Sequence, residues 1–489
     1  MSRSPVSPRA GWAVLSAALL AGCTTVGPDF KAPPPPAVTG YTAGTSPATT
    51  ASAPGPLGSA QHLASGRAVD AQWWHAFGSA QLDTLVARAL QHSPTLEAAQ
   101  ATLRQAQQLY AAQAGSTLYP TVAGKLGATR EGVNSAGQGQ PGSNQNVFSL
   151  YNAGIGVSYN LDLFGGNRRA LEALAAQADY QRYQLAGARL TLAANVVTTA
   201  FAQAQAAAQL AATEAIAHAQ QQQLDITQRQ YALGATARTA VLALRTQVET
   251  TRASLPALRN RLEQADHLLA VLLGAPPGSA TLPHFALDAF TLPPDLPLAV
   301  PSALLRQRPD VQASMALLHA ATAQYGVAVA NLYPQINLSA TLGTQALTTG
   351  ALFGPGSVIW SLAGSLAQPL FNAGLKAGAN AAQASLQAAG ANYRQTVLQA
   401  LRNVADALRQ LDNDAQALQA QNAADTAAQA SLQLVQQQYQ LGAASYLQLL
   451  SAQQAAQQAR LALIAAQAAR LADSAALYQA MGGGQLSAG

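Results

Sequence analysis

The sequence predicts an α+β membrane protein in which two β-hairpins alternate with two very long α-helical hairpins, and three observations carry the prediction. Landmarks recur at an offset of roughly 207 to 215 residues, so the chain is internally duplicated. Residues 164–231 and 371–439 contain no proline and are rich in Ala, Gln and Leu, as long packed helices are. Ahead of each stretch lies a pair of runs of about ten residues with strand composition, the length a tilted strand needs to cross a bilayer.

Residues 1–22 read as a signal peptide: Arg3 and Arg9 precede an apolar run, Gly11 to Ala21, too short to span a membrane. Leu20-Ala21-Gly22-Cys23 resembles a bacterial lipobox, whose cysteine becomes the first mature residue and carries diacylglycerol and an N-acyl chain. Cys23 is the only cysteine, so an intramolecular disulfide is excluded; a free thiol and an intermolecular bridge are the alternatives to lipidation. Thr24 stands where lipoprotein sorting associates Asp with inner-membrane retention, which implies the cell outer membrane. Loss of Arg3 and Arg9 lowers the formal charge from +5 to +3, too mild a balance to indicate nucleic acid. Residues 23–72, including Pro33 to Pro36, have few large apolar side chains and read as a lipidated tether. Ordered structure is expected from Trp73-Trp74 and Phe77, just ahead of the helical pattern Leu82, Leu85, Val86, Ala89, Leu90.

The first repeat spans residues 73–274 and holds a helix, a β-hairpin at 120–162 and a long helical hairpin at 164–273. The second spans 302–482, with its β-hairpin at 334–369 and its helical hairpin at 371–480; a Pro-rich connector, 275–301, joins them, and 483–489 is a tail. Leu118-Tyr119-Pro120 matches Leu332-Tyr333-Pro334, Asp162-Leu163-Phe164 matches Pro369-Leu370-Phe371, and Gln230-Tyr231-Ala232-Leu233-Gly234 matches Gln438-Tyr439-Gln440-Leu441-Gly442. His92-Ser93-Pro94 with Gln307-Arg308-Pro309, and Leu272-Leu273-Gly274 with Ala480-Met481-Gly482, complete the series.

Strands are expected at 121–130, 150–161, 335–345 and 357–368; Ile336, Leu338, Ala340 and Leu342 alternate with period two. Four strands cannot close a barrel, and open edges in lipid leave backbone groups unpaired, so copies must associate. Three copies give about twelve strands and a lumen; two give a filled barrel of about eight. The helix at 164–231 would be roughly 100 Å long. The return helices lie at 237–273, where Pro256 is expected to kink the chain, and at 444–479. The latter has a heptad seam at Leu447, Leu450, Leu461, Ile464, Ala468, Leu471, Ala475 and Tyr478, broken by Gln454 and Gln457.

Leu233-Gly234-Ala235 and Leu441-Gly442-Ala443 fall where each long helix must turn back, and glycine tolerates the left-handed conformation of such a stop. Catalytic signals are absent. Gly137-x-Gly139-x-x-Gly142 has dinucleotide-fingerprint spacing but lies between two strands and contains Pro141; the seven His residues show no ligand spacing; no Walker lysine follows a glycine loop. The chain reads as no enzyme, with no cofactor beyond the lipid on Cys23.

Taken with Cys23-Thr24-Thr25-Val26-Gly27-Pro28-Asp29-Phe30 and Trp73-Trp74, the duplicated Tyr-Pro, Leu-Phe and Tyr-x-Leu-Gly landmarks resemble the outer membrane factor (TolC-like) family, specifically the lipoprotein branch of OprM and NodT. That resemblance implies a homotrimer: a twelve-stranded β-barrel, four strands per chain, continued by a long α-helical coiled-coil barrel in the periplasm. It implies docking of a periplasmic membrane-fusion adaptor and its inner-membrane pump at the helical tips, with Tyr231, Leu233, Gly234, Tyr439, Leu441 and Gly442 as contacts. The chain departs from the family at Ser93, where Asn is common, and at Ala443-Ala444-Ser445, which lacks an acidic residue. Asp225 and Arg238, or Tyr446 and Leu447 as a hydrophobic constriction, are the gate candidates; single helix charges are otherwise simply solvated. The expected function is a passive exit duct for drugs or other toxic compounds. Metal efflux, aromatic-acid export and type I protein secretion would use the same duct, and a non-conducting structural or adhesive envelope lipoprotein is the alternative of a different class.

Overall fold

The computed structural model describes residues 25–38, 40–42, 44, 47–134, 145–278 and 282–484. The signal peptide, Cys23 and the Gly137-to-Gly142 loop lie outside them. In chain order the elements are β1 (His62–Ser65), a 3-10 turn (Trp73–Phe77), α1 (Ala80–His92), α2 (Pro94–Thr117), β2 (Thr121–Asn134) and β3 (Gln145–Leu161). Then come α3 (Gly166–Ala232), α4 (Arg238–Leu272), β4 (Asp295–Leu298), α5 (Pro301–Gln307) and α6 (Pro309–Ala330). β5 (Gln335–Ala346), β6 (Val358–Ala367), α7 (Ala373–Gln440) and α8 (Tyr446–Ala480) complete the chain. Its residues divide into two compact units: Met1–Pro33, Thr102–Gln181 and Ser314–Tyr393; and Pro34–Ala101, Arg182–Ala313 and Arg394–Gly489.

The first unit contains an antiparallel sheet of order β2-β3-β5-β6. Both expected hairpins form, and β3 pairs with β5 to join the two repeats. β2 and β3 have 14 and 17 residues, longer than the ten or so expected, because residues 131–134 and 145–149 extend the ladder. Backbone pairing needs no apolar side chain, so composition alone does not mark where it stops.

An aromatic cluster organises the second unit. Trp73 stacks on Tyr478 with centroids 5.5 Å apart, Phe77 meets Phe201 edge-on at 5.0 Å, and Phe201 meets Phe290 at 4.9 Å. Such pairs stabilise beyond the area they bury, by about 0.5–1.5 kcal/mol each. α1 packs Leu82, Leu85, Val86 and Ala89, the helical stripe expected, and Ser79 caps it by accepting from Leu82 N. An 18-residue stretch of α3 is apolar enough to cross a membrane, yet 56% of it is buried inside the chain, as in a packed helix.

Two sequence expectations change. The 23–72 segment is not a free tether throughout: β1 pairs in parallel with β4, with His62 opposite Asp295, and Gln61 is fully buried. The attachment uses backbone pairs and polar side chains, which a search for apolar residues overlooks. On α8 the lower seam shifts, with Leu449 buried and Leu447 exposed, while Ile464, Ala468, Leu471, Ala475 and Tyr478 are buried as expected. Gln454 donates to Gln247 Oε1 on α4 at 3.0 Å, so that polar position is satisfied. α4 runs on through Pro256 as one helix.

Arg470, fully buried on α8, holds the segment before β1: its Nη2 donates to Gln61 Oε1 at 2.9 Å, Ser59 O at 3.2 Å and Thr50 Oγ1 at 3.4 Å. Gln61 Nε2 in turn donates to Ser474 Oγ at 2.9 Å. Beside it, burial pushes the Asp473 carboxyl up to about 8, helped by a hydrogen bond and like charge from Asp414 and opposed by Arg470. A carboxyl raised in the fold binds its proton more tightly there than in the unfolded chain. Its contribution is therefore complete below the ordinary carboxylate range and lost progressively as pH rises to about 8. Asp473→Asn should flatten the fall in thermal midpoint between pH 5 and pH 8; an equally steep fall in the variant would contradict this assignment.

Candidate functional site

Alternation and register together give the sheet two faces. One paired row reads Val122, Val157, Ala340, Leu362; the next reads Ala123, Gly156, Thr341, Ser361. On the first face lie Val122, Leu126, Ile155, Leu338, Leu342, Trp360, Leu362 and Leu366, all exposed, with Leu126 at 85%. On the second lie Thr121, Ser158, Ser339, Asn160, Asn337 and Ser365, and Thr341 and Ser361 share a hydrogen bond of 2.6 Å there. An uncovered apolar face of this extent is a membrane or partner surface. The two outer strands, β2 and β6, each have one unpaired edge within the chain.

At the foot of the sheet, Phe164 stacks on Tyr333 with centroids 4.8 Å apart. Their counterparts in the duplication, Phe371 and Tyr119, remain 92% and 67% exposed. The residues just after Cys23 are also fixed here. Val26 N donates to Phe164 O at 3.0 Å. Buried Arg169 bridges Asp29 at 2.6 Å and Glu172 at 2.7 Å, Glu172 meets His319 at 2.8 Å, and Phe30 stacks on the His319 ring at 4.3 Å. Burial favours a neutral Glu172, but the hydrogen bonds and charges of Arg169 and His319 outweigh it and hold the carboxyl below its usual range. Gly27, at φ +85°, lies so close to Gly326 that a Cβ would fall 2.6 Å from its Cα. Sequence reasoning named Gly27 to Phe30 as a landmark but missed Arg169, whose partner Asp29 is far away in the chain.

The two helical turns are alike in detail. At the first, Ala235 N donates to Gln230 O at 2.8 Å and Gly234 N to Tyr231 O at 2.9 Å; at the second, Ala443 N donates to Gln438 O at 2.8 Å and Gly442 N to Tyr439 O at 3.1 Å. Both are Schellman caps, with Gly234 at φ +72° and Gly442 at φ +73°. Each projects one leucine, Leu233 or Leu441, 84% exposed. Ser445 and Gln448 add a capping box to the second turn, which the first lacks.

The other candidates separate. Asp225 is exposed and accepts from Gln221 Nε2 at 2.7 Å; Arg238 is exposed and has no ion pair among the described residues. Asp425, further up the second hairpin, pairs with Arg460 at 3.3 Å. Leu447 points away from the packed seam. Tyr446 packs against Leu224, Leu244 and Val248 of the first hairpin, with Tyr439 edge-on at 6.3 Å. Its buried hydroxyl has no hydrogen-bond partner, and burial, reinforced by Tyr439, raises it to about 12. Tyr446 thus braces one hairpin against the other.

Comparison with known proteins agrees with this geometry. The outer membrane efflux protein family matches residues 85–275 and 300–483. The pyoverdine export outer membrane protein OpmQ of Pseudomonas aeruginosa is 31% identical over 437 residues, covering 87% of this chain and 90% of its own. The probable outer membrane lipoprotein SilC of Salmonella typhimurium is 28% identical, covering 95% and 96%. Among solved structures, the outer-membrane channel OprN superposes with a TM-score of 0.84 at 28% identity, covering 94% of this chain and 99% of its own.

Because a side chain in the left-handed region costs about 1–2 kcal/mol, Gly442→Ala should loosen the second turn while leaving the sheet intact. Amide hydrogen exchange should quicken at Tyr439 to Ser445 and stay unchanged in β5. Tyr446→Phe, which removes an unpaired hydroxyl, should leave exchange at Leu224 and Leu244 at least as slow as before, whereas Tyr446→Ala should speed it; equal effects from the two would exclude a packing role.

Proposed function

The chain belongs to the outer membrane efflux protein family, and from that membership we propose that it is the outer-membrane exit duct of a tripartite efflux system. It passes small molecules, delivered by an inner-membrane pump and a periplasmic adaptor, passively to the exterior. The observation that carries this reading is the two-faced sheet with both edges open. Its apolar face suits lipid and its polar face suits water, yet lipid tolerates no unpaired strand edge. Copies of the chain resolve the conflict by pairing β6 of one with β2 of the next. Three copies give twelve strands, enough to enclose a lumen.

The duplication supplies the register of that junction. Within the chain, Ile155 lies opposite Leu342. The Leu-Phe landmark carries Ile155 to Leu362, and the Tyr-Pro landmark carries Leu342 to Ala128. Leu362 therefore pairs with Ala128 of the next copy, and apolar positions continue to face apolar ones all round. The same operation sets Phe371 on Tyr119 of the neighbour, repeating the stack of Phe164 on Tyr333.

Tyr231, Leu233, Gly234, Tyr439, Leu441 and Gly442 form the adaptor contacts in this reading. Their support is the pair of matching caps, each presenting an exposed leucine on a rigid turn. Cys23 carries the lipid anchor, in keeping with the description of SilC as a lipoprotein and with the fixing of residues 26–30 at the sheet's foot. Asp225 and Arg238 are the charged groups available to a gate. Drugs and other toxic compounds are the cargo, and the pump chooses among them.

Two measurements test the reading. Oxidation of the Ala128→Cys, Leu362→Cys double variant in membranes should yield a covalent species of three chains, and Thr129→Cys with Leu362→Cys, on opposite faces, should not. Purified trimers should conduct in planar bilayers. Trimers that never conduct would replace the duct by a structural envelope lipoprotein, and equal cross-linking of both pairs would discard the register.

A further inference from the structure

We propose that Lys125 makes the barrel section of the duct anion-selective, suiting it to cargo that bears carboxylate or phosphate groups. The inference rests on the trimeric-duct reading and adds to it a specificity-determining residue.

The four strands of the sheet carry three charged side chains, Lys125, Arg130 and Glu131, all on β2. Arg130 and Glu131 are adjacent near the loop end of the strand, Arg130 on the apolar face with Leu126 and Glu131 on the same polar face as Lys125. Lys125 stands alone, four residues from the foot, which at about 3.4 Å per residue and a tilt of about 40° is roughly 10 Å into the strand's height. That is the level of the hydrocarbon in a barrel whose foot lies at the interface.

Its direction follows from the pleat. Lys125 alternates with Gly124 and Leu126 and shares its face with Thr121 and Thr129, the polar side. On the lipid side a lysine near the bilayer's middle costs about 2–4 kcal/mol; on the lumen side its ammonium stays hydrated.

The neighbours leave that charge uncompensated. In its own row β3 contributes Gly154 and β5 contributes Gly343, neither with a side chain to accept a hydrogen bond. Lys125 is exposed and makes no ion pair or hydrogen bond with any described residue. On the other flank, the register carried over from the duplication sets Ser365 of the preceding copy against it, a neutral group. Three ammonium groups therefore ring the lumen at one level. Low-dielectric barrel walls focus their field into the water between them. Glu131, on the same face, lies six residues further along the strand, about 20 Å away and about two Debye lengths at 0.1 M salt, so the two rings act at separate levels and the Lys125 level keeps its own positive potential.

The experiment compares trimers of the wild type, Lys125→Gln and Lys125→Glu in planar bilayers under a potassium chloride gradient centred on about 0.1 M, where the Lys125 and Glu131 levels are screened from each other. The chloride-to-potassium permeability ratio should fall in that order, by about two-fold or more for Lys125→Glu, and the differences should vanish near 1 M salt, where screening shortens to about 3 Å. In Lys125→Cys trimers, a water-soluble charged thiol reagent should change the current, as a lumen-facing residue requires. Conducting trimers whose permeability ratio is the same in all three proteins would overturn the proposal while leaving the duct intact. Trimers that never conduct would remove the duct and this proposal together.

Discussion

The need to pair every backbone group in lipid governs this molecule. A sheet of four strands with an apolar face belongs in a membrane, but β2 and β6 each offer an unpaired edge that hydrocarbon cannot solvate. The sheet is therefore unstable as a monomer in the place its side chains select. In the proposed duct, association of copies is the condition of insertion, and a closed ring of two-faced strands has a polar lumen as its by-product. In that proposal conduction follows from the same constraint that calls for the oligomer.

Duplication makes the closure simple. One junction, β3 on β5, is already solved inside the chain, together with the stack of Phe164 on Tyr333. The proposed second junction needs only the same geometry between copies, and the exposed Phe371 and Tyr119 are available to repeat that stack there. Where the repeats diverge, the divergence falls on contacts that occur once. Arg169 and His319 grip residues 26–30, and Arg470 grips residues 50–61, because there is a single N-terminal segment to hold.

The sequence was most readable where structure is local. Alternation at Ile336, Leu338, Ala340 and Leu342 marked β5, the Leu-Gly-Ala tripeptides marked both turns, and the absence of proline marked α3 and α7. It was least readable where a residue's environment is set by distant chain. β1 exists because β4 lies beside it, and Arg169 matters because Asp29 and His319 reach it; neither leaves a periodic trace. The lower end of α8 shows an intermediate case. A heptad favoured Leu447, but Tyr446 turns inward onto the first hairpin, and the buried position becomes Leu449. Lys125 was visible from the start as a residue, yet its face became meaningful only once the register was known.

The sheet and the helical tips face opposite demands. In the sheet, strength comes from continuity, since each strand is held by ladders on both sides once copies join. At the helical tips the hairpins are held to each other by small contacts: Tyr446 in its apolar seat, and the Gln247 to Gln454 hydrogen bond. A hydroxyl buried without a partner, as at Tyr446, costs about 1–3 kcal/mol. The brace is therefore weaker than its buried area suggests. The caps at Gly234 and Gly442 close each turn with its own hydrogen bonds, so under the proposed docking a pull on Leu441 would move the second hairpin as a body and work against that brace instead of unwinding the helix. For the proposed duct, a firm turn joined to a weak brace places the least costly motion between the hairpins, and among the described residues the chain itself holds no group that would drive it.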